Sequence, residues 1–139
     1  MLSLEPLIIN RILDQVPGFT TVGNASKLVG VRDIGALLPG CFVIPGGGDR
    51  SESALNIEDQ EWDIIIIVPH QHEDSANGLT EEIAGAFMQG VLRALHNWQD
   101  SSASKGVFIY KGRNQPHYNM GYAEFPMTFS TKSSLGLPR

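Results

Sequence analysis

A single cysteine, Cys41, in 139 residues excludes an intrachain disulfide framework and gives no sign of an oxidising compartment. Basic residues are also scarce, with 10 Lys and Arg against 15 Asp and Glu and a formal net charge of -5. Sequence-independent binding of nucleic acid draws on cations that neutralise backbone phosphates, so this balance argues against it. An acidic channel that DNA slides past is compatible with the same numbers. Long apolar runs are missing too: the longest, Ile64 to Val68, falls far short of the roughly 20 residues a spanning helix needs, so no membrane partner is expected. The opening "MLSLEPLIIN" has neither the positively charged start nor the cleavage site of a secretory signal, and the chain reads as cytoplasmic.

What is present describes a globular protein, with 42% hydrophobic and 18% charged residues. The length suits one domain over 1–139 with a core of its own. Residues Ser3 to Val16 predict an amphipathic helix, with Ser3 as N-cap, Leu4, Ile8, Ile9, Ile12, Leu13 and Val16 at helical spacing, and Pro17-Gly18 as the stop. From Phe19 to Leu38 the pattern is weak, though Asn24 is placed to cap a short helix through Leu28. Cys41 to Ile44 forms a short apolar strand, and 46–59 reads as a long polar loop. The strand "QEWDIIIIV" alternates at first and then turns apolar on both faces, as a strand does that starts at a sheet's rim and ends in its middle.

A second long helix is expected from about Asn77 or Thr80 to Trp98, with Glu81 and Glu82 in its first turn. Its continuous apolar stripe is Leu79, Ile83, Phe87, Val91, Leu95 and Trp98. Val107 to Tyr110 and Tyr122 to Thr131 complete the strands, the latter with Ala123, Phe125, Met127 and Phe129 on one face. Pro126 cannot donate to a ladder, which places that last strand at an edge or gives it a bulge. The order implies an α+β, two-layer domain, one mixed or antiparallel sheet of about four or five strands packed on two main helices, with 132–139 as a flexible tail.

Each candidate for chemistry has a plainer explanation. "CFVIPGGGDR" lacks the Lys-Ser or Lys-Thr of a P-loop and is followed by a strand, so its glycines mark a connection and not a phosphate cradle. In "PHQHEDS", His70, His72 and Glu73 have donor types suited to zinc, but Pro69 ends the alternation and no second ligand set follows; a solvated polar loop fits better. Cys41 in an apolar strand reads as a buried small hydrophobe and not a nucleophile. His96 sits near a helix C-terminus as a cap, Trp62 and Trp98 read as core, and Asp59, Glu61 and Asp63 as a solvated strand. No catalytic residue, metal or cofactor is expected.

The helix "EPLIINRILDQVPGF", the strand introduced by "LPGCFVIP", the loop, "QEWDIIIIV", the helix ending "LRALHNW" and the closing "YAEFPMTFS" together resemble the tail terminator (tail completion) proteins of long-tailed bacteriophages, from about Leu4 to Thr131. The resemblance implies a structural virion protein, assembled in the host cytoplasm as a six-membered ring on the head-proximal end of the tail tube. There it stops tube polymerisation and offers a surface for head joining. The partners it implies are further copies of the chain, the tail tube protein, the head-tail connector or neck protein, and the sheath protein if the tail is contractile, with DNA passing through the lumen without specific binding. Another neck or head-tail joining component, or a metal-dependent or small-molecule-binding enzyme centred on His70 and His72, is the alternative. Ring closure requires two different patches of one subunit to meet. The expected ring interface is Tyr118, Met120, Tyr122 and Pro126 around the last strand, with the face of an opposing helix as complement, while Gly46, Gly47, Gly48, Asp49 and Arg50 in the loop are expected to order against the tube or connector.

Overall fold

Two helices lie on one face of a mixed sheet. The computed structural model describes residues 4–28, 33–50, 57–70, 76–99 and 107–134, and for 47–50, 57–59, 76–78 and 133–134 it describes the backbone only. In chain order the elements are α1 (Leu4–Gln15), β1 (Thr21–Asn24), two 3-10 turns (Ala25–Lys27 and Ile34–Leu37), β2 (Gly40–Arg50), β3 (Ile57–His70), α2 (Ala76–Leu95), β4 (Ile109–Arg113), β5 (His117–Asn119) and β6 (Gly121–Ser134). The strand order is β1-β2-β3-β6-β4, with β5 also paired to β6. Only the β1–β2 pair is parallel.

α1 forms because Leu4, Ile8 and Ile12 recur every fourth residue and all three are fully buried. It stops at Pro17-Gly18, where Gly18 takes φ 105°, a conformation open to glycine at no steric cost. Ser3, the expected cap, lies outside the described residues. Asn24 does cap the short turn expected after it, its side-chain oxygen accepting from the Ser26 N–H at 3.1 Å. α2 begins earlier than expected, so Glu81 and Glu82 stand beyond its first turn. It ends at Leu95, with Asn97 at φ 65° and its N–H donating to the Phe108 carbonyl.

The core lies between the helices and one sheet face. Cys41 and Val43 of β2, Trp62, Ile64, Ile66 and Val68 of β3, and Ala123, Phe125, Met127 and Phe129 of β6 point to it in matched rows. The alternation of β6 is therefore as the sequence implies. The double apolarity of β3 has a local cause: on the far side Ile67 and Phe42 are also fully buried, and the Phe42 ring lies over Gly40 beside the Leu37 carbonyl of the second 3-10 turn. The remainder of that far face mixes half-buried apolar residues, Ile44, Ile65 and Pro126, with polar ones, Asp63 beside Thr128 and an exposed Glu61 beside Ser130.

Four expectations are corrected. Of the loop expected over 46–59, residues 46–50 and 57–59 form a hairpin arm, because β2 runs on to Arg50 and β3 starts at Ile57, and 51–56 lie outside the described residues. A bulge between Pro45 and Gly47 absorbs the irregularity that the glycines suggested. β3 does not start at the rim, being paired to both β2 and β6 through its polar first half. Residues 132–134 of the expected tail belong to β6, which continues to Ser134 against Ile57 of β3, and 135–139 lie outside the described residues. Finally, β6 is not an edge strand. The Asn114 N–H donates to the Pro126 carbonyl, so the missing proline N–H points the same way, into the break between β4 and β5 where no ladder partner is needed.

Candidate assembly surface

His70 shows first how the sheet and α2 are joined. The solvated loop expected for it is wrong at this residue: His70 closes β3, is 5% exposed, and its Nδ1 stands 2.9 Å from the Thr80 hydroxyl of α2. Its ring tilts against Tyr118 of β5 at 5.1 Å, and the Tyr118 hydroxyl donates to Glu81 at 2.8 Å. β3, α2 and β5 are thus pinned at one end of the domain. The tyrosine pKa is raised, mainly by desolvation and then by the hydrogen bond to Glu81 and its negative charge, with Arg113 opposing. His72 and Glu73 lie outside the described residues. Among the described residues no cluster of three His, Cys, Asp or Glu is placed to hold a metal.

Cys41 is fully buried, and burial pushes its thiol pKa well up, which removes the thiolate a nucleophile needs. His96 accepts from the Tyr110 N–H at 3.3 Å, fastening the end of α2 to β4. Trp62 is a core residue, and Trp98 stacks on Phe108 with Arg11 over its ring. The Arg11 Nε donates to the Ala94 carbonyl at 2.9 Å, which ties α1 to α2.

The surface is more informative. Among the described residues the exposed large hydrophobics form two sets, Leu13, Leu79 and Ile83 on the helices and Val107, Ile109, Tyr118 and Met120 along the outer strands. The sequence stripe of α2 thus divides, with Val91 and Leu95 in the core and Leu79 and Ile83 in solvent. The helix lengths explain this. α1 runs antiparallel to α2, with Arg11 at Ala94, Val16 at Gly90, and Gly18 and Phe19 at Phe87. Twelve residues cannot cover twenty, and the first turns of α2 are left over. That mismatch was the available signal.

On the other flank of α2 a groove separates it from the outer strands. It consists of two adjoining hollows of about 340 and 280 Å³ that share Gly85, Met88 and Arg113. Phe125 and Pro116 wall one hollow, and Tyr110, Leu92 and Met127 the other. Sequence reasoning missed this groove, because its two walls are distant in the chain and meet only through pairing with β6.

The expected interface residues do not form one patch. Gly46 to Arg50 lie on the outer edge of β2, beyond Val43, the last residue of β2 paired with β1. Tyr118 stands opposite Ala123 on the helix side, whereas Tyr122 and Pro126 belong to the other sheet face, and Met120 is 84% exposed at the β5–β6 turn.

Large hydrophobic side chains are thus exposed on both the helices and the outer strands of this acidic α+β domain. A family model described as phage tail terminator protein matches residues 2–137, nearly the whole chain. The chain belongs to the phage tail terminator family. It is accordingly a bacteriophage tail protein and a virion component, from a structural and non-enzymatic family. Membership implies contact with other phage tail or head proteins. No helix among the described residues is long and apolar enough to cross a membrane. No curated protein matches the chain.

Proposed function

We propose that the tail terminator forms a closed ring, a hexamer, on the head-proximal end of the tail tube, stops tube polymerisation and presents a surface to the head-tail connector. The family match over residues 2–137 carries this reading. Large hydrophobics exposed on both the helices and the outer strands support it, because a ring needs two unlike surfaces of one subunit that meet head to tail. The unpaired outer edge of β2, with Pro45 and Gly46 to Arg50, is the surface for the tube or connector. A free strand edge binds by adding a strand.

The uncovered sheet face lines the lumen in this reading. Glu61, Asp63 and Glu124 stand on it against Lys132, a balance that repels DNA phosphates and lets the genome pass. The sheath protein joins the partners if the tail is contractile. Particles assembled without this protein test the function. Headless tails of uncontrolled length support termination, and tails of normal length that fail to join heads point to another neck component.

A further inference from the structure

The ring reading leaves open which surfaces meet, and on that reading the structure assigns them: we propose that the exposed first turns of α2 in one copy dock into the groove between α2 and the outer strands of the next. The occupant is a second copy of this chain, and the contact is head to tail.

The groove runs along Glu81, Gly85, Met88 and Leu92 of α2, about 16 Å at the helical rise, enough for two to three turns of a neighbouring helix. Gly85 opens its floor, since a Cβ there would meet nothing within 4 Å. Arg113 belongs to both hollows, and its guanidinium has no hydrogen bond or ion pair among the described residues, its one neighbouring influence being on the Tyr118 hydroxyl. The groove thus joins an apolar floor of Gly85, Met88, Leu92, Phe125 and Met127 to a polar rim where Glu81 is taken up by the Tyr118 hydroxyl, and Arg113 is the one cation between the two hollows. It calls for two apolar side chains about one helical turn apart and one carboxylate.

The chain presents such a segment. Leu79 and Ile83 are one turn apart, 61% and 39% exposed, with Glu82 exposed beside them. In this acidic chain a free arginine is a distinctive mate, and Glu82 supplies its charge complement. At about 100° per residue the centre of the Leu79 and Ile83 pair lies about 170° around α2 from the groove-lining residues. One helix thus carries the inserting surface on one flank and the receiving surface on the other. Such an arrangement propagates from copy to copy and can close as a ring.

The test compares full-length wild type, R113E, E82R, R113E/E82R and L79S/I83S by light scattering and sedimentation over a concentration series. Melting curves at monomer concentrations establish that the variants fold. Each charge reversal alone is expected to weaken association at least about thirtyfold. The double reversal restores it, as does mixing the two single variants. L79S/I83S stays monomeric where wild type assembles. Wild type rings with unaltered rings for R113E, E82R and L79S/I83S overturn this interface and leave the ring reading standing. Wild type that remains monomeric up to its solubility limit overturns both.

Discussion

Gly85 and Gly90 stand five residues apart in α2, and the same substitution should stabilise at the first but not at the second. In a helix interior alanine is favoured over glycine by about 0.8–1.0 kcal/mol, through backbone entropy. At Gly85 nothing opposes that gain, because the new methyl meets no atom within 4 Å. G85A should therefore stabilise the monomer by about 1 kcal/mol and raise its melting temperature by about 3 °C. At Gly90 the methyl would stand 2.9 Å from the Val16 Cγ1. Carbon atoms settle at about 3.5–4.0 Å, so Val16 must retreat by about 0.6 Å or more. Val16 is 5% exposed, closes α1 and is branched at Cβ, so it has little freedom to rotate away. Overpacking of this kind costs about 1–3 kcal/mol, which leaves G90A neutral to about 2 kcal/mol destabilised. Urea titration at a concentration where wild type is monomeric is the suitable assay, since association would add stabilisation by mass action. G90A at least as stable as G85A would refute the close approach of α1 and α2. G85A should also assemble less well despite its firmer monomer, because its methyl fills the groove floor.

Thr80→Val removes the hydroxyl from the buried His70 pair and leaves Nδ1 without that partner, a loss of about 1–3 kcal/mol readable by urea titration; less than about 0.5 would mean the pair is incidental. The raised pKa of Tyr118 means that the folded state favours the neutral phenol. The corresponding stability is full below the ordinary tyrosine pKa of 10.0 and is lost as pH rises through the raised value. Wild type should thus lose stability more steeply than Tyr118→Phe in alkaline solution, and parallel pH profiles would contradict this.

The hairpin arm changes the meaning of the glycine run. Gly46 to Gly48 belong to a ladder strand beside a bulge and not to a loop, and a Cβ on Gly46 would find ordinary contact with Glu61 and Asp63 at 3.4 Å. The glycines suggest a loop because their composition is that of connections. Pairing with β3 overrides local propensity when a partner strand is in register.

The sequence by itself determined the α+β class, the helical spacing of α1, the buried face of β6 and the order of elements, since these follow from local periodicity. It also pointed to the tail terminator family through that order and length. It determined the fate of Cys41 for the same reason, an apolar residue in an apolar strand. Only the tertiary structure decided where that periodicity stops predicting burial. Leu79 and Val91 belong to one stripe, yet one is in solvent and the other in the core, because burial depends on how far α1 reaches along its partner. His70 likewise sits in a polar stretch yet is buried, because Thr80 and Tyr118 arrive from other elements to receive it. The groove of Gly85, Met88 and Arg113 exists only once β6 has brought β4 and β5 beside α2, a long-range pairing that no local pattern encodes.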